Sequence, residues 1–457
     1  MRSGWACLLG LAGVALTNAL SLEKRDNPAV LAVPMVRDTS RQLSRRSGTI
    51  GVGLNNERVY YISYVANVTF GTPPQNFLAY FDTWGNGCWL EGVDDSDCYL
   101  YGDRSSCGGY GGYNFTASTT AKMLDERFSY NDSGTITSGD YVTDVFRIGN
   151  VTVDTMKMGI VEDDVITANT FGLGYGDASS TSLTQALADA GAINSPAFSL
   201  WRQTALFGGV NRAKYTGPLY TFPIVNGSDL VKAFRINMTD ISINETSAVT
   251  NDFPLDAVFD TVFDMTYVPK SVAQALNAQI GTASAPDRWG QVNLSCSAVG
   301  ENSTIEFKFG ELEFQFYLSD FITQESETAA KYGWSPDEDT CYFTICENMH
   351  YQNEGSIILG SNFISKTYAV FDLENDEVSL ALPNWRNAPD DIVEITSGKN
   401  GVPGTTSGVT STTSGVSSTT SGASETTKHS AATRTEAGLG MGALMFSAAL
   451  QILVFWI

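Results

Sequence analysis

The chain states one short pattern twice, and that repetition limits its fold more than any other feature. Ala79-Tyr80-Phe81-Asp82-Thr83 returns as Ala257-Val258-Phe259-Asp260-Thr261, 178 positions later. Both are apolar runs that end in Asp-Thr. Each is followed, about 90 to 100 residues on, by an apolar stretch with glycine: Phe171-Gly172-Leu173-Gly174 and Ile358-Leu359-Gly360. A single Asp-Thr is a cheap coincidence, since a lone carboxylate often caps a turn. Matched flanks at matched positions instead imply two similar lobes, each presenting one carboxylate.

The region from about Tyr60 to Trp385 reads as mostly β. Val65–Phe70, Tyr141–Ile148, Thr304–Phe309 and Ala369–Leu373 are short runs rich in β-branched or aromatic residues, bounded by turn formers. Helical periodicity is scarce, with Thr181–Ala190 and Ser271–Ile280 each long enough for one short helix. At 457 residues and 43% hydrophobic composition, the chain can bury a large core. The expected architecture is bilobal, two β-rich lobes with a cleft between them.

Acidic residues outnumber basic ones 50 to 27, for a formal charge of −23. Such a chain repels a polyanion, which excludes nucleic acid as a partner. Its two histidines are His350 and His429. They cannot assemble a His-rich metal site, and a Ser-His-Asp triad would have to use His350. No metal and no cofactor is expected.

Both ends carry processing signals. Residues 1–20 read as a signal peptide, with Arg2 ahead of an apolar run from Ala6 to Leu16 that is too short to cross a bilayer. Residues 21–46 read as a pro-segment with dibasic sites at Lys24-Arg25 and Arg45-Arg46, ahead of an N-terminal lobe over 47–225 and a C-terminal lobe over 226–390. A stalk is assigned to 391–435, because Thr396 to Thr435 is mostly Ser, Thr and Gly and cannot bury enough surface to fold. Residues 436–457 form a terminal apolar tail of the GPI-attachment type, with a plain tail anchor as the alternative. Sequons at Asn67, Asn114, Asn131, Asn150, Asn226, Asn237, Asn244, Asn293 and Asn302 fit a secreted glycoprotein at the cell surface. Six cysteines remain once Cys7 leaves with the signal. Cys98–Cys107 and Cys296–Cys341 would each close one surface loop, leaving Cys88 and Cys346 without an assigned partner.

Further landmarks sit in order along the body. They are Phe70-Gly71-Thr72-Pro73-Pro74-Gln75, Phe81-Asp82-Thr83 with Trp89, and Phe128-Ser129-Tyr130; then Phe207-Gly208-Gly209-Val210, Phe259-Asp260-Thr261, Thr266-Tyr267-Val268-Pro269 and Tyr368-Ala369-Val370-Phe371-Asp372. In these the chain resembles the pepsin-like aspartic proteases, specifically the fungal GPI-anchored, yapsin-like group. The resemblance implies a bilobal fold, Asp82 and Asp260 as the catalytic pair, and Tyr130 and Trp89 closing over a bound peptide. It also implies that Thr83 and Thr261 border the substrate. Expected partners of a monomeric chain are a peptide or protein substrate or ligand, and the membrane through its GPI anchor.

Paired carboxylates of this family, the type case for the rule, cannot both ionise at close range and so share a proton. The charged member draws a proton from water while the protonated one polarises the scissile carbonyl. The chain departs from the family pattern of Asp-Thr-Gly or Asp-Ser-Gly followed by Ser or Thr. Trp84 and Val262 replace the motif glycines, and Gly85 and Phe263 replace the hydroxyl residues. Losing a hydrogen bond at each buried carboxylate would cost about 2–6 kcal/mol in total, on the order of 30-fold to 10⁴-fold in rate if felt fully in the transition state. It should also raise the pKa values of the pair. Ser361 stands where the family usually places Asp after Ile-Leu-Gly. Three readings follow: an aspartic endopeptidase working at acidic pH, an inactive pseudoprotease that binds peptides, and a surface glycoprotein whose lobes are a rigid head.

Overall fold

The computed structural model describes residues 30–35, 64–93, 111–132, 135–163, 169–176, 181–226, 232–248, 253–282, 285–287, 290–324, 339–349 and 355–409. The expected signal peptide, most of the pro-segment, the Cys98–Cys107 pair, the stalk beyond 409 and the GPI tail lie outside the described residues.

The repeat in the sequence is a repeat in topology. In the first half, Gln75–Asp82 runs parallel to Asn169–Gly172, which in turn lies antiparallel to Cys88–Glu91. In the second half, Leu255–Phe259 runs parallel to Ile357–Leu359, which lies antiparallel to Thr266–Val268. Asp82 therefore ends one interior strand and Asp260 directly follows the other, and each apolar-Gly element is that strand's parallel neighbour. These strands are buried on both faces, which is why they read as continuous apolar runs. The glycines are there because the aspartate loop passes directly over them. A Cβ on Gly172 would lie 2.5 Å from the carbonyl oxygen of Gly85, and one on Gly360 would lie 2.1 Å from that of Met265.

The halves are joined by a seven-stranded sheet to which both contribute. Its order is Leu31–Pro34, Thr204–Phe207, Ala197–Trp201, Tyr368–Asp372, Glu377–Pro383, Tyr215–Pro223 and Thr405–Ser407. The seam is the antiparallel pair of Ala197–Trp201 with Tyr368–Asp372, sealed by the stacked rings of Phe198 and Phe371, 4.9 Å apart. Both expected helices form. Leu183–Asp189 is capped by Ser182, whose side chain accepts from the N–H of Gln185. Lys270–Ile280 stops at Gly281, which takes a φ of 72°.

The start of the stalk needs correction. Composition places residues 391–408 in it, yet they fold back over the body. Ile392–Glu394 pairs with Gly209–Asn211, and Thr405–Ser407 adds a parallel strand to the joining sheet. Ile395 and Val402, both within this strap, are buried. Polar composition misleads because a short strap folds by lending backbone hydrogen bonds to an existing sheet, with few apolar anchors of its own, Ile392, Ile395 and Val402 among them. Leu31–Pro34, inside the expected pro-segment, forms the opposite edge of that sheet, with Leu31, Val33 and Met35 buried.

The disulfide Cys296–Cys341 forms, across a separation of 45 residues. Cys88 and Cys346 are buried free thiols, one in each half. They pack as small apolar groups, and burial pushes the Cys88 thiol up to about 12.

Candidate active site

The fold brings the two aspartate loops together where the halves meet, and the threonines hold them there. The Thr83 N–H donates to Thr261 Oγ1 at 3.0 Å, and the Thr261 N–H donates to Thr83 Oγ1 at 3.1 Å. Each hydroxyl then donates onward across the boundary, Thr83 Oγ1 to the Phe259 carbonyl at 2.8 Å and Thr261 Oγ1 to the Phe81 carbonyl at 2.5 Å. The strand before each aspartate is thus bonded to the loop after the other. Thr83 and Thr261, expected to border the substrate, are instead fully buried in this lock. Their hydroxyls are spent on the opposite backbone, so they brace the two loops.

Asp82 and Asp260 are 1% and 0% exposed. The inner oxygen of each keeps backbone donors despite the altered motifs. Asp82 Oδ1 accepts from the Trp84 N–H at 2.8 Å. Asp260 Oδ1 accepts from the Val262 N–H at 2.9 Å and from the Phe263 N–H at 3.4 Å. Backbone amides serve here whatever side chain they carry, so losing the motif glycines does not remove these bonds. The outer oxygens differ. Asp260 Oδ2 is buried with no hydrogen-bond partner among the described residues.

Burial dominates the electrostatics. It pushes the Asp82 carboxyl up to about 6, against the pull of the Gly85 and Trp84 amides. Asp260 is held well above the ordinary carboxylate range by burial first and by the charge of Asp82 second. The sequence gives the right direction but attributes it to missing hydroxyls, whereas desolvation is the larger cause.

Trp89 packs with Phe128, Tyr141 and Val161, the first two of them on the hairpin formed by Lys122–Asp132 and Thr135–Ile148. Tyr130 pairs through its backbone with Thr137 on that hairpin, and its side chain lies outside the described set. Ser361 is buried. Its N–H donates to the Phe263 carbonyl at 2.7 Å, so it braces the second aspartate loop from behind.

Trp84 is the site residue whose partner the sequence does not disclose. Its ring lies against Phe263, with centroids 6.5 Å apart. Val262 and Met265 join the same apolar cluster. The one signal for this contact in the sequence is that both motifs are altered together.

Two similar lobes that each deliver a buried carboxylate to one shared boundary define the pepsin-like aspartic proteases as a class. The chain belongs to the eukaryotic aspartyl protease family, whose profile matches residues 63–383. It is similar to the probable aspartic-type endopeptidase opsB of Aspergillus fumigatus, 30% identical over 432 residues that cover 88% of this chain and 85% of the relative. The opsB protein of Aspergillus oryzae is 29% identical over 440 residues, covering 89% and 87%. Secreted aspartic protease 8 of Candida albicans is 28% identical over 359 residues, covering 74% and 79%.

Proposed function

We propose that this protein is a secreted, surface-anchored aspartic endopeptidase that cleaves peptide bonds with Asp82 and Asp260. The observation that carries the reading is the reciprocal Thr83–Thr261 lock, which sets the two carboxylate loops face to face. Asp82, with its amide donors, is the member that ionises and draws the proton from water. Asp260, with an unpartnered outer oxygen, keeps the shared proton and donates to the scissile carbonyl. Because Asp82 must lose its proton first and burial holds that proton more tightly, the acid limb of activity lies above the ordinary carboxylate range. The hairpin carrying Tyr130, with Trp89 packed against it, covers the bound peptide. The named relatives, one of them called secreted, support a secretory route, and the terminal apolar segment supports GPI anchoring.

A second reading, peptide binding without cleavage, is favoured by one feature: neither residue 85 nor residue 263 offers a hydroxyl to the outer carboxylate oxygens. The deciding experiment treats an unfolded protein with the ectodomain between pH 4 and 7, in the presence and absence of a statine-type peptide. Cleavage that is blocked by the statine peptide and lost in Asp82→Asn establishes the endopeptidase. Tight statine binding with no cleavage at any pH establishes the binding protein.

A further inference from the structure

Trp84 and Phe263 are two of the four departures from the family motifs, and the fold places them in contact. They come from opposite halves of the molecule, with ring centroids 6.5 Å apart and planes 33° from parallel. Each of the two residues also donates to the dyad through its backbone. The backbone N–H of Trp84 donates to Asp82 Oδ1, and that of Phe263 reaches Asp260 Oδ1. Moving either ring therefore moves a carboxylate donor.

The pair is seated on both sides. Phe263 is 1% exposed, packs edge-on to Tyr267 at 5.5 Å, and has its carbonyl held by the N–H of Ser361. Trp84 lies partly buried against the cluster that contains Val262, Met265 and Cys346. On the same loop as Phe263, the outer oxygen of Asp260 is buried with no hydrogen-bond partner among the described residues. A hydroxyl at 263 would have offered that oxygen a donor, and the ring offers none.

We propose that Trp84 and Phe263 act as one positioning unit, an aromatic clamp across the lobe boundary that fixes the two carboxylate loops and keeps polar groups away from Asp260. Tilted aromatic pairs at this separation attract beyond their buried area, so the contact favours one relative placement of the loops. The clamp replaces hydroxyl hydrogen bonding with packing. This inference rests on the dyad reading above but does not require turnover.

Its test is a double-mutant cycle in Trp84→Gly, Phe263→Ser and the double variant, with Trp84→Phe as the conservative control. The probe is a statine-type peptide, whose hydroxyl two carboxylates can share only while one of them holds a proton. Affinity is followed against pH, and thermal unfolding is measured on the same proteins. With Phe263→Ser the charged form of Asp260 gains a donor, so the alkaline edge of binding should fall by about one pH unit, a tenfold change in proton affinity. Trp84→Gly should lower the same edge by loosening the ring from its seat. The double variant should shift less than the sum of the two, and Trp84→Phe should leave the edge in place. Additive shifts would overturn the clamp.

If the native chain binds the statine peptide at no pH, the dyad reading fails, and the clamp is judged on unfolding alone. Non-additive changes in Tm then support it and additive ones overturn it. If Phe263→Ser does not fold, Phe263→Leu keeps most of the volume, removes the ring and completes the same cycle.

Discussion

Asp82 leans on Gly85 so closely that no side chain fits there: a Cβ on residue 85 would sit 2.5 Å from Asp82 Oδ2 and 2.9 Å from Asp82 Cγ. The glycine that the first motif lacks at 84 has in effect moved to 85. It gives the carboxylate room and contributes a backbone donor. Gly85→Ala should therefore displace the Asp82 carboxylate and cost about 1–3 kcal/mol by overpacking. Gly85→Ser should do the same although it reintroduces the family's hydroxyl. Urea unfolding together with statine-peptide affinity checks both variants. A neutral Gly85→Ser would show that the loop has slack.

The threonine lock can be tested from either side. Thr261→Val removes the acceptor for the Thr83 N–H and the donor to the Phe81 carbonyl, all of them buried. Stranding buried polar groups costs about 1–3 kcal/mol, and the loss should be at the upper end. Thr261→Ser keeps the hydroxyl and should stay within about 1 kcal/mol of the native chain. Equal losses in the two variants, measured by chemical denaturation, would mean that the methyl group and not the hydroxyl matters.

The raised value of Asp82 makes a statement about stability and pH. A carboxyl held near 6 when folded, against an ordinary 3.8, binds its proton more tightly in the native state. Its contribution is full below 3.8 and is lost as pH rises through about 6. Asp82→Asn removes that loss. The variant should match the native chain at pH 4 and exceed it at pH 7.5 by up to about 3 kcal/mol. Tm measured at the two pH values decides the matter, and a gain confined to the acid side would contradict the assignment.

Cys296–Cys341 closes a 45-residue loop and ties Val292–Ser295 to Thr340–Phe343. Paired replacement by serine should cost about 2–4 kcal/mol without altering the dyad, which lies in another sheet. Unfolding midpoints would fall while the pH profile of statine binding stays fixed.

The strap gives a prediction about boundaries. An ectodomain ending at residue 390 loses the pairings of Ile392–Glu394 and Thr405–Ser407 and uncovers Val210 and Phe222, both 5% exposed or less. It should unfold several degrees below one ending at 409. Identical Tm values for the two would mean that the strap is dispensable.

The fold was largely legible because its repeat is written in buried residues. Phe81-Asp82-Thr83 and Phe259-Asp260-Thr261 are surrounded by apolar neighbours that only a central strand can accept, so pattern and topology agree. What stayed hidden depended on contacts between distant positions. The Trp84–Phe263 contact joins residues whose individual surroundings reveal nothing of each other. The burial of Thr83 and Thr261 follows from how the halves dock, while their local sequence fits a cleft edge equally well. The strap was missed because Thr405–Ser407 owes its strand to a neighbour, Leu219–Thr221, and hardly at all to its own composition.

The sheet shared by the halves ends on each side in a very short strand, four residues at Leu31–Pro34 and three at Thr405–Ser407. Proline closes the first, and polar side chains cover the second. Such rims offer too few free amides for a neighbouring molecule to zip onto. At this sheet, a second copy would therefore find almost no backbone left to pair with.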